Sequence, residues 1–173
     1  MSGAGRLRPL GAWWLCTALT WSTWPAVAQE GAASIAWPAL TTLNGQVLPS
    51  TRWAGVPAVV VFWSTDCGYC KRHNDRVAQL HATVDPRRLQ VLGVVEGGDA
   101  EGARQLAATR GWRFPIVRDE VGLRGRFTPR RVVPMTCVLN ADGRLRQCIP
   151  GEMSEADVTE LAQRAAAPAP VGH

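Results

Sequence analysis

The run Ala58-Val59-Val60-Val61-Phe62-Trp63 leads within four residues to Cys67-Gly68-Tyr69-Cys70, and helical periodicity follows. Six consecutive apolar residues of β-branched and aromatic type describe a strand buried on both faces. Two thiols separated by two residues across the first turn of a helix can close a small disulfide ring. The partial positive charge of the helix start favours a thiolate at the first of them. A C-x-x-C on its own also serves zinc ribbons and haem attachment. Set between a buried strand and a helix, it points to thiol–disulfide chemistry.

The N-terminus has the pattern of a secretory signal. Arg6 and Arg8 precede an apolar stretch from Leu10 to Trp21, and Ala26-Val27-Ala28 supplies small residues for cleavage before Gln29. An uncleaved anchor is the alternative, but Ser22, Thr23 and Pro25 cut the apolar run below the roughly 18 residues of a spanning helix. Cys16 would leave with the signal. Removing residues 1–28 from the 173 leaves 145, enough for one domain with a core. Net charge falls from +5 to +3, because the segment holds two arginines and no acid. No basic block or aromatic-interleaved stripe supports nucleic-acid binding. Four cysteines remain, Cys67, Cys70, Cys137 and Cys148. Export to an oxidising compartment such as the periplasm would let them pair.

Residues 29–36 read as a flexible lead-in and 37–165 as the folded domain, with a disordered Ala/Pro tail over 166–173. Asn44-Gly45 signals a short leading hairpin. The helix after the cysteines carries Tyr69, His73, Val77, Leu80 and Val84 at helical spacing and ends near Pro86. A second apolar strand runs from Leu89 to Val95, a helix from Ala100 to Gly111, and an extended piece from Phe114 to Val117. Asp142-Gly143 joins two strands that hold Cys137 and Cys148. Ser154, with Asp157 three residues on, opens the last helix. Strands alternating with helices, then a hairpin and a closing helix, predict an α/β sandwich with a central mixed sheet flanked by helices.

Four segments together resemble the TlpA/ResA-type periplasmic thioredoxin-like thiol–disulfide oxidoreductases. They are Trp37-Pro38-Ala39-Leu40-Thr41-Thr42-Leu43-Asn44-Gly45-Gln46, Val60 to Lys71, Gly111 to Asp119, and Val133-Pro134-Met135-Thr136. The resemblance implies a thioredoxin-like fold with an N-terminal β-hairpin and a cis Pro134 against the cysteines. It implies no cofactor beyond the redox-active Cys67–Cys70 disulfide. It also implies a monomer acting on cysteine-containing protein substrates, re-reduced by a membrane thiol electron donor. Reduction, as in cytochrome c maturation or metal-site assembly, is the expected direction; oxidation or isomerisation by the same fold is the alternative. This chain departs from the family at Asp66 (usually Trp), at Val61 (a buried acid in many thioredoxins) and at His73 (often Glu).

Within that frame Cys67 is the expected nucleophile and Cys70 the resolving thiol. His73 shares a helix face with Cys70 and could take its proton; Glu96 is the rival for that role. Tyr69, Val133 and Trp63 are the expected substrate contacts. A two-residue turn would set Cys137 directly opposite Cys148 and allow a bridge. A three-residue turn with a glycine bulge would send them to opposite faces, and the pairing of Leu139 with Leu145 favours that arrangement. A copper or Cys₄ zinc site is the competing class of function. Lys71, standing where C-x-x-C-H needs histidine, excludes covalent haem.

Overall fold

The computed structural model describes residues 34–166. The expected leader 1–28 and the tail from 167 lie outside the described residues. The elements in order are β1 (Leu40–Thr41), β2 (Val47–Leu48), a 3₁₀ turn (Ser50–Trp53), β3 (Ala58–Ser64), α1 (Gly68–Thr83), β4 (Gln90–Gly97), α2 (Ala100–Arg110), β5 (Ile116–Arg118), α3 (Leu123–Phe127), β6 (Met135–Leu139), β7 (Leu145–Pro150) and α4 (Glu155–Ala166). Among the described residues no helix is long and apolar enough to cross a membrane.

Five strands form one sheet in the order β5-β4-β3-β6-β7. β4 runs parallel to β3 and β5, while β6 is antiparallel to β3 and β7, so the sheet is mixed. β3 is central and covered on both faces, which is why its sequence is continuously apolar. Its alternate residues feed two cores. Val59, Val61 and Trp63 pack with Cys70, Val77 and Leu80 of α1, Ala103 of α2 and Leu161 of α4. Val60 and Phe62 pack on the other face with Leu40, Leu48, Trp53, Leu123 and Phe127. The leading hairpin therefore lids one face, and α1, α2 and α4 cover the other.

Local signals account for several boundaries. Asp99 caps α2 by accepting from Gly102 N at 2.7 Å, and Gly111 ends that helix in the left-handed region at φ 69°. Ser154 Oγ accepts from Asp157 N at 3.1 Å and donates to Asp157 Oδ2 at 2.6 Å, closing the cap of α4. The five-residue α3 gave no sequence signal, being too short to show a period.

Two expectations need correction. Residues 34–36 are not a free lead-in: Ser34 pairs with Arg144, and Ile35 N donates to Gly143 O at 2.9 Å. Cys137 and Cys148 are not on opposite faces. They are direct cross-strand partners joined by a disulfide, with Cα atoms 4.1 Å apart. Leu139 does pair with Leu145, but the register shifts by one residue between Val138 and Leu139. That bulge restores Cys137 opposite Cys148. The leucine pair sets the register at the turn, and the bulge resets it beyond.

Candidate active site

The turn after β3 ends at Cys67, which caps α1 in an extended conformation (φ −92°, ψ 108°). Its Sγ accepts from Cys70 N at 3.1 Å, and its carbonyl accepts from Lys71 N at 3.2 Å. A sulfur in the cap position replaces the usual hydroxyl or carboxylate and sits at the positive end of the helix. Cys67 is half-buried, whereas Cys70, one turn deeper, has no exposed surface. The two are disulfide-bonded with Cα atoms 5.1 Å apart. One sulfur is open to a partner and the other is sealed in the core, the asymmetry an attacking and a resolving thiol require.

The peptide bond Val133–Pro134 is cis. The Val133 carbonyl oxygen lies 3.9 Å from Cys67 Sγ, so the loop before β6 stands over the open sulfur. Beside it runs a groove of about 530 Å³ lined by Tyr69, Arg76, Val133, Pro134, Gly151, Glu152, Met153 and Ser154. Tyr69 is 64% exposed at its rim, with the Arg72 guanidinium 4.8 Å from its ring centre. Arg72 grips Glu152 through two hydrogen bonds (3.1 and 2.8 Å), and Arg76 holds the same carboxylate at 2.7 Å. These bonds hold the Glu152 carboxyl below the usual carboxylate range. They also tie the segment before α4 to α1. The wall of Arg72, Arg76 and Glu152 leaves no signal in the sequence, because its members lie 80 and 76 residues apart and meet only in the fold.

Trp63, expected at the substrate surface, is wholly buried and packs edge-on to Trp112 with ring centres 5.4 Å apart. It supports the site from beneath and has no face left for a substrate.

His73 is also fully buried. Its Nδ1 accepts from Met153 N at 3.3 Å, and Nε2 lies 2.8 Å from Thr136 Oγ1. An amide can only donate, so Nδ1 is the bare nitrogen and Nε2–H donates to the threonine. Burial, assisted by Arg76, pushes the pKa of His73 down to about 4. With its acceptor nitrogen occupied and its basicity low, it is poorly suited to take a proton from Cys70. The geometry makes it a pin between α1, β6 and the segment before α4.

Glu96, the other candidate for proton transfer, is bound to Arg124 at 2.6 Å. Burial raises its pKa, outweighing the attraction of Arg124. Arg124 is 1% exposed and donates as well to the carbonyls of Arg130 and Val132, with its guanidinium 4.7 Å from the Phe62 ring centre. Its anchoring of the residue before Val133 could not be seen in the sequence, because α3 was not.

No group of three or more His, Cys, Asp or Glu side chains able to hold a metal occurs among the described residues. Cys137 and Cys148 pack in the core on one side of the sheet, and Cys67 and Cys70 in the core on the other. The four cysteines therefore cannot converge on one ion.

A mixed sheet with a C-x-x-C at the start of its central helix and a cis-proline beside it defines a thioredoxin-fold protein. Residues 33–147 match the AhpC/TSA family, and the chain belongs to that family. It is of the TlpA/ResA-type, thioredoxin-like kind that the sequence resembled. It is 24% identical over 121 residues to the thiol-disulfide oxidoreductase ResA of Geobacillus thermodenitrificans, covering 70% of each chain. It is 26% identical over 122 residues to ResA of Geobacillus kaustophilus, covering 69% of this chain and 68% of that one. Among solved structures, a thioredoxin-family thiol:disulfide interchange protein from Chlorobium tepidum superposes with TM-score 0.72 at 20% identity. That match covers 79% of this chain and 97% of the other.

Proposed function

We propose that the protein is an exported thiol–disulfide oxidoreductase that reduces disulfides of cysteine-containing proteins through Cys67 and Cys70. The observation that carries this reading is the Cys67 cap: an accessible sulfur accepting from Cys70 N at 3.1 Å, beside the Val133 carbonyl and the groove. The Cys67 thiolate attacks a substrate sulfur, forming a mixed disulfide and releasing the first substrate thiol. The Cys70 thiolate then attacks Cys67 Sγ, closing the Cys67–Cys70 bond and releasing the second substrate thiolate. Two electrons pass to the substrate, and the two thiols it gains take two protons.

Backbone groups of Val133 and the apolar edges of Tyr69 and Pro134 suit an extended peptide lying along the groove. Two disulfides in one domain and the leader-like N-terminus support export to the periplasm. The resemblance to the TlpA/ResA type supports the reducing direction, a role such as cytochrome c maturation or metal-site assembly, and a membrane thiol donor that regenerates the dithiol.

The test is the reduction potential of the Cys67–Cys70 pair, read by mass mapping so that Cys137–Cys148 is scored separately. A value of about −230 mV or lower supports a reductase. One near or above about −180 mV would assign oxidation or isomerisation instead.

A further inference from the structure

Opening the Cys67–Cys70 bond leaves Cys70 as a fully buried sulfur that must pass through the thiolate to resolve a mixed disulfide. A buried anion needs a hydrogen-bond donor. The obvious partners are engaged elsewhere. Both His73 nitrogens are taken by Met153 N and Thr136 Oγ1. Glu96 is held by Arg124, Asp75 by Arg110 and Trp112 Nε1, and Glu152 by Arg72 and Arg76. Lys71 projects about 100° around the helix from Cys70. Val61 of β3, in the same core as Cys70, is apolar.

Asn74 is left. It lies four residues after Cys70, the spacing that stacks side chains on one helix face. It has no exposed surface, and neither Oδ1 nor Nδ2 has a hydrogen-bond partner. Side chains in a helix lean toward its N-terminus, so the i,i+4 spacing directs the amide toward the turn that holds Cys70, with which it makes no hydrogen bond in the disulfide form. Farther along the same face the buried residues are Val77 and Leu80. An unpaired amide in an otherwise apolar position is destabilising, and a leucine of similar branching would be the stabler choice. Trp63 Nε1, in the same core, is also without a partner.

We propose that Asn74 is the polar partner of Cys70 in the reduced protein. Oδ1 accepts from the Cys70 thiol, and Nδ2–H donates to the thiolate once the proton has left. The amide takes no proton itself. The Cys70 proton is lost to solvent, and the departing substrate thiolate recovers one from solvent. Asn74 thus sets how much of Cys70 is ionised.

The proposal rests on the dithiol reading above, and its test is separable from that reading. In the Cys67→Ser protein Cys70 is the one thiol outside the Cys137–Cys148 bond among the described residues. Its ionisation can be followed by ultraviolet thiolate absorbance against pH, with Asn74 retained or changed by Asn74→Leu or Asn74→Ala. The expected result is a Cys70 pKa higher by about one unit, roughly tenfold less thiolate at neutral pH. In the protein with both cysteines, resolution of a mixed disulfide slows by about threefold, the tenfold loss of thiolate being partly offset by the greater nucleophilicity of a more basic sulfur, while the first attack by Cys67 keeps its rate. Asn74→Leu should resist urea at least as well as the parent. Unchanged Cys70 titration and resolution in the folded variants would overturn the proposal. So would failure of both variants to fold, which would make Asn74 a structural residue. If the unsubstituted protein exchanges with no disulfide at all, the functional reading fails while the titration still tests Asn74.

Discussion

Arg124 Nη1 lies 2.6 Å from Glu96 Oε2, and the same guanidinium donates to the Val132 carbonyl at 2.8 Å. A single buried cation thus couples the end of β4 to the loop that presents Val133 and Pro134 to Cys67. The position of that loop over the active sulfur depends on an ion pair on the far side of the sheet from α1.

Arg124→Met should therefore weaken both stability and exchange. It removes the counter-charge of a carboxylate that is only 18% exposed, together with the bonds to Arg130 and Val132. A loss of about 3 kcal/mol is expected in urea unfolding at neutral pH. Adding Glu96→Gln should recover part of it, because the orphaned charge disappears. Equal losses in the single and double variants would show that the pair is not coupled.

The stability of the protein should fall as pH drops from about 6.5 to about 4 with a component due to His73. Its folded pKa of about 4 lies below the unfolded value of 6.5, so the unfolded chain binds the proton more tightly in that window. The contribution is complete above pH 6.5 and is lost on acidification, reaching about 3 kcal/mol across the full window. His73→Gln should flatten this part of the stability–pH profile. A profile as steep as the parent's would remove His73 as its cause.

Replacing Cys137 and Cys148 together by alanine should cost about 3 kcal/mol, the chain-entropy value for so short a loop. The bridge spans a sequence separation of 11 and lies on the sheet face opposite the Cys67–Cys70 pair. Disulfide exchange, assayed below the melting temperature, should persist. Loss of exchange in a folded double variant would show instead that the second disulfide takes part in the chemistry.

Cys67→Ser should abolish the first attack, and Cys70→Ser should permit it and trap the mixed disulfide. Non-reducing electrophoresis after mixing with a disulfide substrate distinguishes them. Trapping by Cys67→Ser rather than Cys70→Ser would reverse the roles drawn from their exposure.

The junction from β3 into α1 was legible from the letters because everything that makes it is local. An apolar run needs two covered faces, and a C-x-x-C entering a helix puts one sulfur at the cap and the next a turn deeper. The Asn44-Gly45 turn, the Gly111 stop and the Ser154 cap were legible for the same reason. Tyr69 was misplaced on the helix: the buried stripe is Cys70, His73, Asn74, Val77 and Leu80. Trp63 was misassigned because its residue type suits a substrate surface, while its strand position buries it.

By itself, the sequence determined the fold class and which two sulfurs lie at the start of the central helix. Those follow from hydrophobic period and capping within a few residues. The tertiary structure decided which nitrogen of His73 holds the proton, through partners 63 and 80 residues away. It also decided the Cys137–Cys148 bridge, through a one-residue bulge, and the anchoring of the cis-proline loop by Arg124. Each of these depends on a donor meeting an acceptor, or a strand its register, across segments that only packing brings together.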